Sequence, residues 1–357
     1  MKIKLTDNDL NILQNLFIRK ENNIAVADLL NDLCFSLSIF PSLKDNIDKD
    51  INKIISTIFE HYELDETNPD NIEIVNDYLK ESFKEIDLKE YNDNPYKNAV
   101  NIKEIVQNPY KITYLSYPAY SFFPLDDIRV DEAKEYKEIS QIAYSNKEYK
   151  YLSLIKNNNI WMCITPNEIN TMKPYIAKAH GDVITFGLGL GYYAYMVSLK
   201  DNVKSVTIIE RDDNIINLFS TYLLPHFKYK DKIHIIKDDV FKYIEAGNLT
   251  KYDYAFYDLW HNPNDGIKMY LKIKEINNIE AGYWIEESLI CMTRRILLTI
   301  IEESLLGYSD DKYRKTTNDI DYAINYLYFK TKNLSFNKYE DIYRFLRKDN
   351  ILKLINK

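Results

Sequence analysis

The chain has 357 residues, 46% hydrophobic and 28% charged, with a formal net charge of −8. That length carries one large α/β domain plus a smaller one, and the negative charge argues against a nucleic-acid partner, which needs a broad basic surface. Cys34, Cys163 and Cys291 lack metal or redox spacing, and no stretch has signal-peptide or bilayer-span character, so free thiols, a cytoplasmic location and no membrane partner are expected.

Residues 1–110 read as a helical N-terminal region, with helices near 7–19, 24–38, 43–62 and 69–86. Ile47, Ile51, Ile54, Ile55, Ile58 and Phe59 share one face at 3.6-residue spacing. Thr67-Asn68-Pro69-Asp70 starts the next helix, whose stripe is Ile72, Val75, Tyr78, Leu79 and Phe83. Residues 111–164 change texture to a small antiparallel β-sheet, with strands at 111–117, 138–144, 149–155 and 160–164. Ser145-Asn146 and Asn157-Asn158-Asn159 supply turns.

Thr165-Pro166-Asn167-Glu168 is a helix start. Thr165 caps, Pro166 takes the first helical position and Glu168 completes a reciprocal box. That helix should end near His180-Gly181. Over 165–306 strands and helices then alternate: strands at 182–186, 205–210, 232–236, 252–258 and 281–285, helices at 190–200, 212–224, 239–246 and 266–275. Such alternation specifies an α/β fold with a doubly wound parallel sheet. A long helix over 286–306 ends at Gly307. Residues 307–357 form a helical C-terminal tail, with helices near 318–331 and 338–348.

The chemistry concentrates at the carboxyl ends of these strands. Asp182-Val-Ile-Thr-Phe-Gly187-Leu188-Gly189-Leu-Gly191 is an apolar strand running into a turn with three alternating glycines. Glycines there let the main chain approach a ligand, at the strand end where open α/β sheets bind one. The next strand, Val206-Thr-Ile-Ile-Glu210, ends in a carboxylate placed to accept hydrogen bonds from both hydroxyls of a ribose. A dinucleotide fingerprint would want glycine or alanine at 192, where this chain has Tyr192.

The Gly-x-Gly-x-Gly spacing instead resembles the class I S-adenosylmethionine-dependent methyltransferases, over about residues 166 to 290. The resemblance implies a Rossmann-like methyltransferase fold and S-adenosylmethionine as cofactor. Gly187, Leu188, Gly189 and Gly191 would shape the methionine side of its pocket, and Glu210 would hold the ribose. Ile233-His-Ile-Ile-Lys-Asp238-Asp239-Val240 matches the family's third motif: Asp239 would reach the adenine amino group and Val240 would offer backbone contacts. The other role open to Asp239, capping the next helix, is compatible with that. Tyr252-Asp-Tyr-Ala-Phe-Tyr-Asp258 resembles the fourth motif and sets Asp258 beside the reacting centre.

One departure is Thr185. Many members carry there an acid that helps to hold the methionine amino group, and threonine brings no charge. The preceding sheet, the glycine turn and the Asp258 strand also resemble the spermidine synthases, which carry Asp-x-x-Asp-Pro. Here the stretch is Asp258-Leu-Trp-His261-Asn262-Pro263, without the second acid.

Asp258 is the first candidate to orient or deprotonate a nucleophile. His261 shares that task or is an ordinary loop histidine. Trp161 and Trp260 wall an apolar or cationic substrate or belong to the core, and Thr165 sits where it can approach the same substrate. No metal site is expected. The expected function is methyl transfer to a small-molecule or protein acceptor. Aminopropyl transfer and a non-catalytic nucleoside-binding protein are the alternatives, and homo-oligomerisation is left open.

Overall fold

The computed structural model describes residues 1–35, 51–65, 67–307 and 316–356. Asp7–Phe35 forms one uninterrupted helix, α1, where two are expected. The polar break at residues 20–23 does not end it, because Asn23 is engaged in tertiary bonds and does not compete for the helix backbone. Its amide donates to the Tyr136 carbonyl at 3.0 Å and accepts from Tyr78 Oη at 2.7 Å and the Glu138 N–H at 3.0 Å. Residues 36–38 and Ile47, with the expected helix start at 43, lie outside the described residues. Helix α2, Ile51–His61, buries Ile54, Ile55, Ile58 and Phe59, as the spacing predicts.

The expected helix over 69–86 is broken. Pro69–Ile74 is α-helical, Val75–Leu79 is a π-turn and Phe83–Glu85 is a strand paired in parallel with Ile142–Tyr144. Tyr78 and Leu79 are buried, whereas Ile72 is exposed.

Four antiparallel strands follow: β1 (Ile105–Gln107), β2 (Tyr110–Tyr117), β3 (Tyr149–Lys156) and β4 (Asn159–Cys163), in the order β4-β3-β2-β1. The strand expected over 138–144 is not one strand. Lys137–Ile139 pairs with Arg129–Asp131, and Ile142–Tyr144 pairs with Phe83–Glu85 and Phe123–Pro124. Between them Gln141 bonds to the 125–127 loop, its carbonyl accepting from Leu125 N–H at 2.8 Å and its amide donating to the Asp127 carbonyl at 2.6 Å.

Helix α3 (Pro166–Lys178) leads into the main sheet. Its strands are β5 (Gly181–Phe186), β6 (Val203–Glu210), β7 (Ile233–Lys237), β8 (Tyr254–Tyr257) and β9 (Ala281–Tyr283). All pair in parallel, in the order β7-β6-β5-β8-β9. Helices α4 (Tyr192–Ser198), α5 (Asp213–Leu218), α6 (Val240–Glu245) and α7 (Pro263–Ile276) connect them. The fold is thus mixed α/β with a parallel sheet. The chain steps outward from β5 to β6 and β7, then returns across β5 to β8 and β9. That reversal opens a crevice at the carboxyl ends of β5 and its neighbours. Val183, Ile184, Phe186, Val206, Ile208 and Tyr254–Tyr257 are fully buried or nearly so, as strands covered on both faces must be.

Helix α8 (Glu286–Leu305), α9 (Asp319–Thr331), α10 (Tyr339–Phe345) and α11 (Lys348–Ile355) complete the chain. Ser335–Phe336 pairs with Lys2–Ile3 and so ties the tail to the start of the chain. Among the described residues no helix is long and apolar enough to cross a membrane.

Candidate functional site

The crevice holds a cavity of about 540 Å³. Its walls are the β3–β4 hairpin, the first turns of α3, the turn after β5, and the carboxyl ends of β6, β7 and β8.

The glycine turn is built by three separate constraints. All three glycines have left-handed φ, at 96°, 55° and 77°, a region that side chains disfavour. A Cβ on Gly187 would stand 2.1 Å from the Asp258 carbonyl oxygen, and one on Gly191 would stand 2.3 Å from the Phe219 ring. Only at Gly189 is there space, with Met162 Sδ the nearest atom at 3.9 Å. Gly187 and Leu188 also line the cavity. Gly191 does not: it begins α4 and packs on the Phe219 and Phe227 rings. Its place is set by packing, not by the open face of the turn.

Glu210 ends β6, directly beside the turn. Phe186 and Ile209 are register partners, and Gly187 N–H donates to the Ile209 carbonyl at 3.0 Å. One Glu210 carboxylate oxygen accepts from Leu188 N–H at 3.3 Å, and the other from Arg211 and Asp212 N–H, both at 2.8 Å. Three backbone donors therefore fix the carboxylate at the cavity wall. Asp239 caps α6, its Oδ1 accepting from Phe241 N–H at 3.0 Å and Lys242 N–H at 3.2 Å. Asp239 and Val240 both line the cavity.

Asp258 follows β8, and its N–H donates to the Phe186 carbonyl at 3.0 Å. Burial pushes its carboxyl up to about 7. Glu168, in the first turn of α3, is half-buried and lines the same cavity. Burial raises its carboxyl well above the usual range, and the neighbouring Asp258 charge adds to the rise. Among the described residues neither carboxylate has a hydrogen-bond donor or an ion-pair partner from the protein. The expected reciprocal box does not form: Thr165 Oγ1 accepts from Glu168 N–H at 3.4 Å, but the Glu168 carboxylate faces the cavity.

The cavity mouth is aromatic and basic. Trp161 on β4 meets the His261 ring edge-on at 5.1 Å, and Lys156 Nζ lies 4.6 Å from the Trp161 ring centre. His261 Nδ1 bonds to the Asp265 carboxylate at 3.1 Å, within the capping box that starts α7. The floor is set by Trp260, whose indole N–H donates to the Trp284 carbonyl at 3.1 Å, and by Trp284, whose own N–H donates to Thr171 Oγ1 at 2.9 Å. Burial pushes the Cys163 thiol up to about 12, which leaves it a neutral part of the wall.

No protein-family profile and no curated protein matches the chain. Among solved structures it is similar in part to spermidine synthase from Thermotoga maritima, at 14% identity and a TM-score of 0.24. That match covers 31% of this chain and 43% of the other, so it spans less than half of that protein's length.

The structure brings Gly187, Leu188, Gly189, Glu210, Asp239, Val240, Asp258, Trp161, Trp260 and His261 to one cavity. Thr165 is buried under the α3 cap and does not line it, because its hydroxyl is turned to the helix N-terminus. Sequence reasoning missed Glu168, Lys156, Trp284 and the methionines Met162, Met172 and Met269, all lining residues. For Glu168 the signal was present but ambiguous: an acid at the third helical position serves a cap or a cavity equally well.

Proposed function

We propose that this chain is a transferase with a doubly wound, Rossmann-like methyltransferase fold. In this reading it binds S-adenosylmethionine and delivers the methyl group to a small-molecule or protein acceptor. The observation that carries the proposal is the Glu210 carboxylate, fixed by backbone donors against the glycine turn at the edge of a 540 Å³ cavity. Its remaining acceptor capacity suits a pair of vicinal hydroxyls. The bare face of Gly189 fits a ligand chain passing close to the backbone. Asp239, held by its cap at the cavity wall, would accept from an exocyclic amine. When bound, that cofactor supplies an electrophilic carbon on a sulfonium, so the protein's part is alignment and proton removal. Asp258, with an affinity for protons suited to neutral pH, takes the proton from the acceptor. Trp161 and His261, edge-on to one another at 5.1 Å, narrow the entrance.

Aminopropyl transfer is the second reading. Glu168 favours it, since it sets beside Asp258 the second acid that the His261-Asn262 stretch lacks.

Calorimetry with S-adenosylhomocysteine tests the cofactor assignment. Micromolar binding is expected, and Glu210→Ala should weaken it about ten- to a hundredfold, the worth of one or two charge-assisted hydrogen bonds. Undiminished binding by that variant would remove the ribose contact. Incubation with putrescine and decarboxylated cofactor separates the second reading, since spermidine either forms or does not.

A further inference from the structure

Trp284 follows β9 and is buried at the cavity floor. Each of its polar groups is bonded to a different place. Its N–H donates to the carbonyl of Tyr257, the neighbour of Asp258, at 2.9 Å. Its carbonyl accepts from the indole of Trp260, just beyond Asp258, at 3.1 Å. Its own indole N–H donates to Thr171 Oγ1 at 2.9 Å. Thr171 is buried in α3 and does not line the cavity. The Thr171 hydroxyl donates in turn to the Asn167 carbonyl at 2.8 Å, beside Glu168. Trp284 thus grips the chain on both sides of Asp258 and reaches the turn that carries Glu168.

The segment that presents Trp284 is strained. Ile285, the next residue, is buried with φ 48° and ψ 42°, a left-handed conformation that a β-branched side chain rarely adopts. Such a residue persists only where its surroundings over-determine it. On one side β9 pairs with β8. On the other, Asp127 accepts from the N–H groups of Glu287 at 3.0 Å and Ser288 at 3.2 Å, in place of the side-chain cap that α8 lacks. Local preference does not make this turn; the contacts on its two sides do.

The other charged groups along the wall are engaged elsewhere. Lys156 on β3 pairs with Asp212 at 3.8 Å, and His261 bonds to Asp265 at 3.1 Å. Glu210, Asp238 and Asp239 accept from backbone N–H groups at the ends of β6 and β7, and burial keeps the Cys163 thiol neutral. Glu168 is the carboxyl that feels the Asp258 charge.

We propose that Trp284 is a positioning residue: through Thr171 and the 257–260 segment it sets the separation of Glu168 and Asp258 across the cavity. The inference rests on Asp258 being the proton acceptor of a transferase, and adds to that reading the group that holds the base in place.

Carboxyl 13C NMR on the full chain with labelled aspartate tests it. The Asp258 signal is the one missing from Asp258→Asn, and its wild-type midpoint is expected at about 7. Trp284→Phe keeps an aromatic ring and both main-chain bonds but loses the indole donor. Thr171→Val loses the acceptor. Two like charges released from one another separate and gain hydration, so the midpoint should fall by about half a pH unit or more in each variant. The double variant should fall no further, since both changes remove one bond. Thr171→Ser keeps the hydroxyl and should keep the wild-type midpoint. An unchanged midpoint in both single variants, whatever happens to the melting temperature, makes Trp284 a packing residue only and overturns the proposal. A wild-type midpoint in the ordinary carboxylate range does the same. If a variant does not fold, the wild-type indole N–H signals decide. The signal that survives both Trp161→Phe and Trp260→Phe belongs to Trp284. It must follow the Asp258 midpoint and lose that dependence in Asp258→Asn; a flat response sinks the idea. Calorimetry with S-adenosylhomocysteine keeps the two readings apart: no binding by the wild type removes the transferase, while the midpoints still decide how the carboxyls are held.

Discussion

Asp258 carries a charge whose burial works against stability. Its carboxyl is raised to about 7 by burial, so the folded protein binds a proton more tightly than the unfolded chain does. A raised acid contributes its stability below its unfolded value, near 3.8, and loses it as pH climbs through about 7. Above that point an ionised, unpartnered carboxylate sits in the fold. Asp258→Asn removes that charge at nearly constant volume. The variant should therefore be more stable than the wild type at pH 8, on the order of 2 kcal/mol, with the gap shrinking toward pH 5. Thermal unfolding at the two pH values measures this. A variant less stable than the wild type at pH 8 would show that the carboxylate has a partner. Residues kept at such a cost are those a site needs.

At the scale of the element, the strand–turn–helix unit around residues 181–198 separates two uses of glycine. Gly187 and Gly191 are required by packing, against the Asp258 main chain and the Phe219 ring, whereas a Cβ on Gly189 would meet only Met162 Sδ, at an ordinary contact distance of 3.9 Å. Gly187→Ala should cost roughly 3 kcal/mol, because a rigid carbonyl 2.1 Å from the new Cβ must give way. Gly189→Ala should cost only about 1 kcal/mol, the strain of a left-handed residue, yet weaken S-adenosylhomocysteine by obstructing the turn. Urea denaturation of both variants, with calorimetry on the second, tests this division. If Gly189→Ala binds like the wild type, the ligand does not pass over that residue. The Gly-x-Gly-x-Gly spacing was legible in the sequence; the separate reason for each glycine was not, since each depends on a chain segment far along the sequence.

At the scale of the molecule, α1 joins two apolar cores. Leu13, Leu16 and Phe17 pack into the core that contains the parallel sheet, while Val26, Leu30 and Leu33 pack with α2 and the 78–79 segment. Asn23 lies between, bonding to Tyr136, Tyr78 and Glu138 at once. Asn23→Ala would take this partner from the Tyr136 carbonyl and the Glu138 N–H, while Tyr78 Oη keeps its bond from Arg19 at 3.2 Å, and should lower stability by about 2 kcal/mol. Unfolding followed by two probes would then show whether the helical region melts apart from the rest. No measurable loss of stability would mean that those groups find other partners. At the opposite end of the chain Arg294, fully buried in α8, donates to the Leu346 carbonyl at 3.0 Å and stacks 4.7 Å from the centre of the Tyr136 ring, fastening the tail.

The parallel strands and most of the helices between and after them can be read from the chain, because apolar period, caps and glycines act within a few residues of one another. Glu210 and the glycine turn were legible for the same reason: adjacent strands of an α/β unit meet at a fixed place. The tertiary structure alone decided what depends on distant partners. It made α1 one helix by giving Asn23 bonds elsewhere, divided residues 137–144 between two sheets, moved Thr165 and Gly191 off the cavity wall, and turned Glu168 from a helix cap toward Asp258. Those outcomes follow from which segments pack together, and local pattern carries no record of that.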